Sequence, residues 1–128
     1  QCSLHCENSD LQMCLFPVTR GEFCDYEIFK AQCNNGQVLH ILHAMYGQMA
    51  LGKCVKVDGY LGCKADVTNV LAQRCNSQLQ CEINVLDDQL RQSRPCEAGI
   101  SVFLDVQHAC ITGEFRILCC IQLSTTSS

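Results

Sequence analysis

The sequence lacks the features that mark membrane-spanning and nucleic-acid-binding chains. In its 128 residues no uninterrupted apolar run approaches the roughly 20 residues that cross a bilayer as a helix, so we expect no membrane span. Nine Lys and Arg residues are outnumbered by thirteen Asp and Glu, and the net charge of −4 leaves no basic stripe for a nucleic-acid backbone. No Asn-x-Ser/Thr sequon is present either, so we do not expect N-glycosylation of the chain.

Catalytic and metal-binding motifs are also missing. The chain has no nucleophile elbow, no glycine-rich phosphate loop and no HExxH helix. His40 and His43 lie on a predicted strand at a spacing that sends them to opposite faces, which prevents chelation of one metal. A zinc site built from Cys and His together is an open alternative, although disulfide formation competes for the thiols. We therefore predict no enzyme activity, no cofactor and no metal.

Cysteine is the residue present in excess. The chain carries thirteen cysteines, and such a density in a short sequence is typical of a disulfide scaffold made in an oxidising compartment. The length fits one domain with a core of its own. We expect a secreted, extracellular protein.

The chain divides into segments by the spacing of its cysteines. Residues 1–23 carry polar, irregular sequence and end in the turn-prone stretch 17–21, which indicates a cysteine-rich extension. From Cys24 onward, short runs with β character alternate with Gly and Asn turn signals. These predicted strands are Tyr26–Phe29, Gln37–Leu42, Cys81–Leu86, Ile100–Val106 and Glu114–Leu123.

Helix signals are few. Residues Val67–Arg74 present one apolar face and follow Asp66, which suits an N-cap, so we predict a helix there. A weaker helical turn is predicted over Asp87–Gln92. Strands and short helices together indicate a compact, disulfide-rich α+β domain.

Eight cysteines and four short motifs resemble one known family. The motifs are AMYGQ at Ala44–Gln48, in the place of Ala-Asn-Tyr-Gly-Arg, the Arg-Cys of Ala72–Cys81, RPC at Arg94–Cys96, in the place of Asp-Pro-Cys, and GISVFLDV at Gly99–Val106. In this order they resemble the sea-urchin-egg-lectin-type domain, also called the rhamnose-binding lectin domain, over about residues 22–111. The eight framework positions are Cys24, Cys33, Cys54, Cys63, Cys75, Cys81, Cys96 and Cys110.

The resemblance implies a fold and a disulfide pairing that the residues alone do not determine. Family members have about five antiparallel strands with short helices and long loops. The implied segments are an extension at 1–23, a lectin-like domain at 24–111, and a C-terminal strand with a polar tail at 112–128. The implied bridges are Cys24–Cys54, Cys33–Cys110, Cys63–Cys96 and Cys75–Cys81.

The resemblance also implies a sugar pocket for galactose or rhamnose. Its positions here would be Asp25 as hydrogen-bond acceptor, Tyr46 as the aromatic that packs on the sugar, and the loop Arg94–Phe103 with Gly99. Because the run Val38–Leu42 reads as a complete strand, we expect Tyr46 in a surface loop.

Several family contacts are altered in this pocket. Met45 replaces an amide, Arg94 replaces an acid, and Val102 replaces a lysine. One extra residue also separates Cys96 from Gly99. Gln48 in place of arginine matters less, because that arginine has a mainly structural bond.

Two functions follow from the resemblance and its departures. The first is a secreted lectin of the galactose- or rhamnose-binding type, whose partner is a glycan or a glycoprotein. The alternative is an extracellular protein-binding or structural module on the same scaffold, without sugar binding, because fold does not fix function.

Five cysteines lie outside the framework, and an odd number cannot all pair within one chain. They are Cys2, Cys6, Cys14, Cys119 and Cys120. We expect bridges from the extension to the last strand, or within the extension, that order residues 1–23. On the predicted last strand Cys119 shares the apolar face and Cys120 the other, so Cys120 is our candidate for an interchain disulfide in a homodimer. The alternatives are a bridge from the extension or a half-buried Cys120 thiol.

Overall fold

A computed structural model of the protein describes residues 17–56 and 62–112. Within these residues the chain forms six strands and two short helices. In chain order they are β1 (Thr19–Cys24), β2 (Ile28–Gln32), β3 (Val38–Gln48), β4 (Cys63–Asp66), α1 (Thr68–Cys75), β5 (Gln80–Asn84), α2 (Asp88–Arg91) and β6 (Phe103–Ile111). The predicted strand Glu114–Leu123 and the five cysteines outside the framework lie outside the described residues.

The strands form two antiparallel sheets. The larger sheet has the order β1-β6-β3-β4, and β2 pairs with β5 in a separate two-stranded ribbon. The pairing of β3 with β6 is the longest, from Val38↔Ile111 to Gly47↔Phe103. Two antiparallel sheets, two short helices and four disulfides confirm the predicted compact, disulfide-rich α+β domain.

A register shift between Ile41 and His43 changes which residues of β3 face the core. Leu39 and Ile41 are buried before the shift, and Ala44 and Tyr46 after it, so the two-residue alternation changes phase. Across this shift His40 is buried and His43 is exposed.

The helices begin where the sequence places acidic caps. Asp66 accepts a hydrogen bond from the Thr68 N–H at 2.9 Å, so it caps α1 from one residue before the N-cap position. Leu71 and Cys75 are the buried side chains of α1. The Asp87 carboxylate accepts a hydrogen bond from the Gln89 N–H at 3.0 Å and caps α2. Both predicted helices are confirmed within a residue or two.

The core lies between the large sheet, α1 and the β2–β5 ribbon. Its largest members include Phe29 of β2, Leu39 of β3, Leu71 of α1, Ile83 of β5 and Leu104 of β6. Four disulfides surround it, and they join the pairs that the resemblance implies. They are Cys24–Cys54, Cys33–Cys110, Cys63–Cys96 and Cys75–Cys81.

Two strands were not predicted. Thr19–Cys24, read as the irregular end of an extension with a turn at 17–21, pairs with β6 as β1 and belongs to the large sheet. Arg20 and Asp105 add an ion pair across this pairing, at 2.7 Å. Cys63–Asp66 pairs with the end of β3 as β4. In both cases tertiary pairing overrides weak local signals.

No helix among the described residues is both long and apolar enough to cross a membrane.

Candidate functional site

The turn that follows β1 presents the first predicted site residue. The Glu27 N–H donates to the Cys24 carbonyl at 2.9 Å and closes a β-turn. The Cys24 N–H in return donates to Glu27 Oε1 at 2.7 Å. Asp25 and Tyr26 therefore occupy the two central positions of a turn that is bonded across its base in both directions.

Two further links fix this turn to the loop after β3. Lys53 Nζ lies 2.9 Å from Glu27 Oε1, and Cys24 is bridged to Cys54. The Cys24 N–H and, more weakly, the Lys53 ammonium hold the pKa of Glu27 below its usual value, so Glu27 is ionised at neutral pH. The backbone that carries Asp25 is therefore fixed before a ligand binds, and a ligand does not have to order it.

Tyr46 does not lie in a surface loop. Strand β3 continues through Gln48, and Tyr46 pairs with Leu104 of β6 and Ala65 of β4. Its side chain is 2% exposed and packs in the core. The expected surface loop was wrong, and the ring has no exposed face for a sugar to pack on.

The pKa of the buried Tyr46 nonetheless responds to the charge of Asp25. Burial raises the pKa of Tyr46; the Asp25 carboxylate raises it further, whereas Arg91 of α2 lowers it. The hydroxyl is thus within electrostatic range of one anion and one cation. Arg91 was not predicted as a site residue, and no motif in the sequence marks it.

Gly47 is required by the close approach of β4. Its φ is +152°, and a Cβ at this position would meet the backbone of β4, with Lys64 Cα at 2.7 Å. The Tyr-Gly pair is therefore a packing feature that brings β4 against β3.

The loop Arg94–Phe103 is held from both sides. Cys96 is bridged to Cys63 at the start of β4, and Gln48 Nε2 donates to the Ser101 carbonyl at 3.0 Å. Gln48 has a structural bond, as expected of the arginine it replaces. Phe103 is 1% exposed and belongs to the core, so only its backbone can be near a ligand.

The ends of three strands converge at Phe103. It pairs with Cys24 of β1 on one side and with Gly47 of β3 on the other. Asp25 follows Cys24 directly, and Tyr46 precedes Gly47. The fold therefore brings three of the five predicted sugar-site positions, Asp25, Tyr46 and Phe103, to one corner of the large sheet.

The other two positions are less closely tied to this corner. Arg94 and Gly99 are exposed and both have positive φ, +43° and +88°. In residues 17–56 and 62–112 no hydrogen bond or ion pair joins either residue to Asp25 or Tyr46. They lie on the loop that leads into the corner without contacting its two polar groups.

One cluster of potential metal ligands occurs in the part of the chain that the structure describes. It consists of Cys24, Glu27 and Cys54. Since the two sulfurs form a disulfide and Glu27 bonds Cys24 and Lys53, these atoms are already engaged and do not form a metal site.

Comparison with known families gives one match. The model of the D-galactoside/L-rhamnose binding SUEL lectin domain matches residues 31–110. This stretch runs from the last two residues of β2 to most of β6 and begins after the turn that carries Asp25. No curated protein matches the chain. Because the family model covers more than half of the sequence, the chain belongs to the family of D-galactoside/L-rhamnose binding SUEL lectin domains.

Proposed function

We propose that the protein is a secreted lectin that binds a D-galactoside or an L-rhamnoside at the corner formed by Asp25, Tyr46 and the loop Arg94–Phe103. The observation that carries this proposal is the double pairing of Phe103 with Cys24 and Gly47. This pairing brings together the hydrogen-bonded turn Cys24–Glu27, which carries Asp25, the strand that carries the buried Tyr46, and the end of the loop. Family membership supports a glycan as the ligand.

The polar groups of this corner suit a sugar. The Asp25 carboxylate is partly exposed on a fixed turn and accepts hydrogen bonds from sugar hydroxyls, which are stronger when the acceptor is charged. Arg91, whose charge lowers the pKa of Tyr46, is an exposed guanidinium that can donate hydrogen bonds. Gly99 has open space where a side chain would stand, so the loop backbone is accessible to a ligand.

The altered positions weaken this site. Val102 packs against the core and offers no ammonium, and Met45 offers no amide. Each lost hydrogen-bond partner costs about 1–3 kcal/mol when its counterpart is left unsatisfied. We therefore propose millimolar affinity for a monosaccharide, raised by avidity in a disulfide-linked homodimer through Cys120.

Calorimetric titration with methyl β-D-galactoside and L-rhamnose tests the proposal. Asp25→Asn removes the charge but keeps the size of the side chain, and should weaken binding about ten- to a hundredfold, because a hydrogen bond to a charged group contributes about 1.5–3 kcal/mol. Glu82→Gln is the matched control, since Glu82 is an exposed carboxylate in the middle of the ribbon strand β5.

Equal affinity of wild type and Asp25→Asn for the sugar would show that the sugar does not bind at this corner. Wild type that binds neither sugar would contradict the lectin proposal and favour the alternative, a protein-binding module.

A further inference from the structure

The most exposed large apolar side chain of the described residues lies beside Asp25. Tyr26 occupies the second central position of the hydrogen-bonded turn Cys24–Glu27 and is 79% exposed. Within residues 17–56 and 62–112 its phenol has no hydrogen bond and no ring contact. An exposed ring of this kind is informative where other exposed apolar side chains lie close to it.

A second exposed apolar side chain stands on a neighbouring turn. Asp87 N–H donates to the Asn84 carbonyl at 2.9 Å and closes a turn that carries Leu86, which is 49% exposed. The Val85 N–H of this turn donates to the Glu27 carbonyl at 3.2 Å, so the two turns are hydrogen-bonded to each other. Ile28, also exposed, begins β2 just after the first turn. We call Tyr26, Ile28 and Leu86 the apolar strip.

We infer that the apolar strip is a second subsite, in which Tyr26 stacks on the neighbouring pyranose of an oligosaccharide whose terminal sugar is held by Asp25. The inference rests on the proposed function. A pyranose has an apolar C–H face and a polar rim, which match the face and the hydroxyl of an exposed tyrosine. Asp25 and Tyr26 are consecutive residues of one turn, with Cα atoms ~3.8 Å apart, so a group bound at Asp25 lies close to Tyr26.

The size of the strip favours a sugar over a protein partner. An aromatic side chain buries about 150–250 Å² at most, and the two aliphatic side chains expose only part of their area. A stable protein interface needs about 800 Å² on each partner. The strip is too small for that, whereas it is continuous with the carboxylate that recognises the first sugar.

Paired titrations with methyl β-D-galactoside and with lactose, a galactosyl disaccharide, test this inference on the full-length oxidised protein. Wild type should bind the disaccharide about three- to tenfold more tightly, the gain expected of one aromatic stacking contact. Tyr26→Ala should remove this advantage and leave the monosaccharide affinity unchanged. Tyr26→Phe keeps the ring and should keep most of the advantage.

Leu79→Ala is the matched control variant. Leu79 is 43% exposed, similar to Leu86, but it lies beyond the Gln32↔Gln80 end of the ribbon, whereas Tyr26 lies beyond the Ile28↔Asn84 end. The five-residue ribbon separates the two ends by about 13 Å. This variant should bind both sugars as wild type does.

The possible failures are distinguishable. Wild type that binds both sugars equally overturns the second subsite and leaves the lectin proposal standing. A Tyr26→Ala variant that loses both affinities to the same extent places Tyr26 in the first site and also overturns the inference. Wild type that binds neither galactoside but binds L-rhamnose overturns the inference alone. Wild type that binds none of the three sugars overturns the proposed function and the inference with it. A thermal melt of Tyr26→Ala that coincides with wild type excludes misfolding as the cause.

Discussion

Removal of the disulfides one pair at a time should destabilise the fold in order of loop length. Three of the four bridges join one buried cysteine to one partly buried cysteine, so each removal takes the same atoms from similar surroundings. These bridges are Cys33–Cys110, Cys24–Cys54 and Cys75–Cys81, with sequence separations of 77, 30 and 6. Replacement of both cysteines by alanine leaves no buried hydroxyl and no thiol at the two substituted positions.

The differences between these variants come from the entropy of the unfolded chain. With those separations, the loop-closure relation gives losses of about 4.5, 3.6 and 2.2 kcal/mol in the free energy of unfolding. The packing lost with the sulfurs adds a similar amount to each. The longest loop should therefore cost about 2 kcal/mol more than the shortest.

Denaturation by guanidinium with linear extrapolation measures these losses. The variant without Cys24–Cys54 should in addition bind sugar more weakly, because this bridge fixes the turn that presents Asp25. The variant without Cys75–Cys81 should bind as wild type. Equal losses of stability for the longest and the shortest loop would refute the entropic reasoning.

Three further predictions concern single residues. Gly47→Ala should cost about 3 kcal/mol, because a Cβ would strike the β4 backbone, whereas Gly36→Ala, with φ +88° and open space, should cost only about 1–2 kcal/mol in urea denaturation. Burial lowers the pKa of His108, so the folded state resists its protonation; stability should fall as the pH drops below about 6.5, and His108→Gln should flatten that slope in thermal melts. Cys120→Ser should convert a covalent dimer to monomer on non-reducing electrophoresis, and a monomeric wild type would contradict this.

The helices and strands that could be predicted are those whose sequence signals lie within one short segment. The helix after Asp66 was predicted because its cap and its apolar spacing lie within one segment. Strand β1 was missed because Pro17 and Gly21 read as a turn, and its pairing with β6 spans the domain: Arg20 meets Asp105 from 85 residues away. Strand β4 is only four residues long, which is too short for a recognisable alternation of apolar and polar residues. It forms by pairing with the end of β3.

The candidate site was predictable only in part, for similar reasons. Family resemblance pointed to Asp25 and Tyr46, and the fold brings both to one corner. The burial of Tyr46 depends on the phase change between Ile41 and His43, which no alternation rule anticipates. Arg91 and the exposure of Tyr26 depend on how the turn and α2 meet in space, so neither has a signal in the sequence.

A titration followed by ¹H–¹⁵N NMR tests the central claim most directly. With methyl β-D-galactoside or L-rhamnose added to saturation, the largest shift changes should occur at the amides of Asp25, Tyr46 and the segment Gly99–Phe103, because these meet at the ends of β1, β3 and β6. Saturable changes centred on the middle of the β2–β5 ribbon, or no change with either sugar, would contradict a sugar site at this corner.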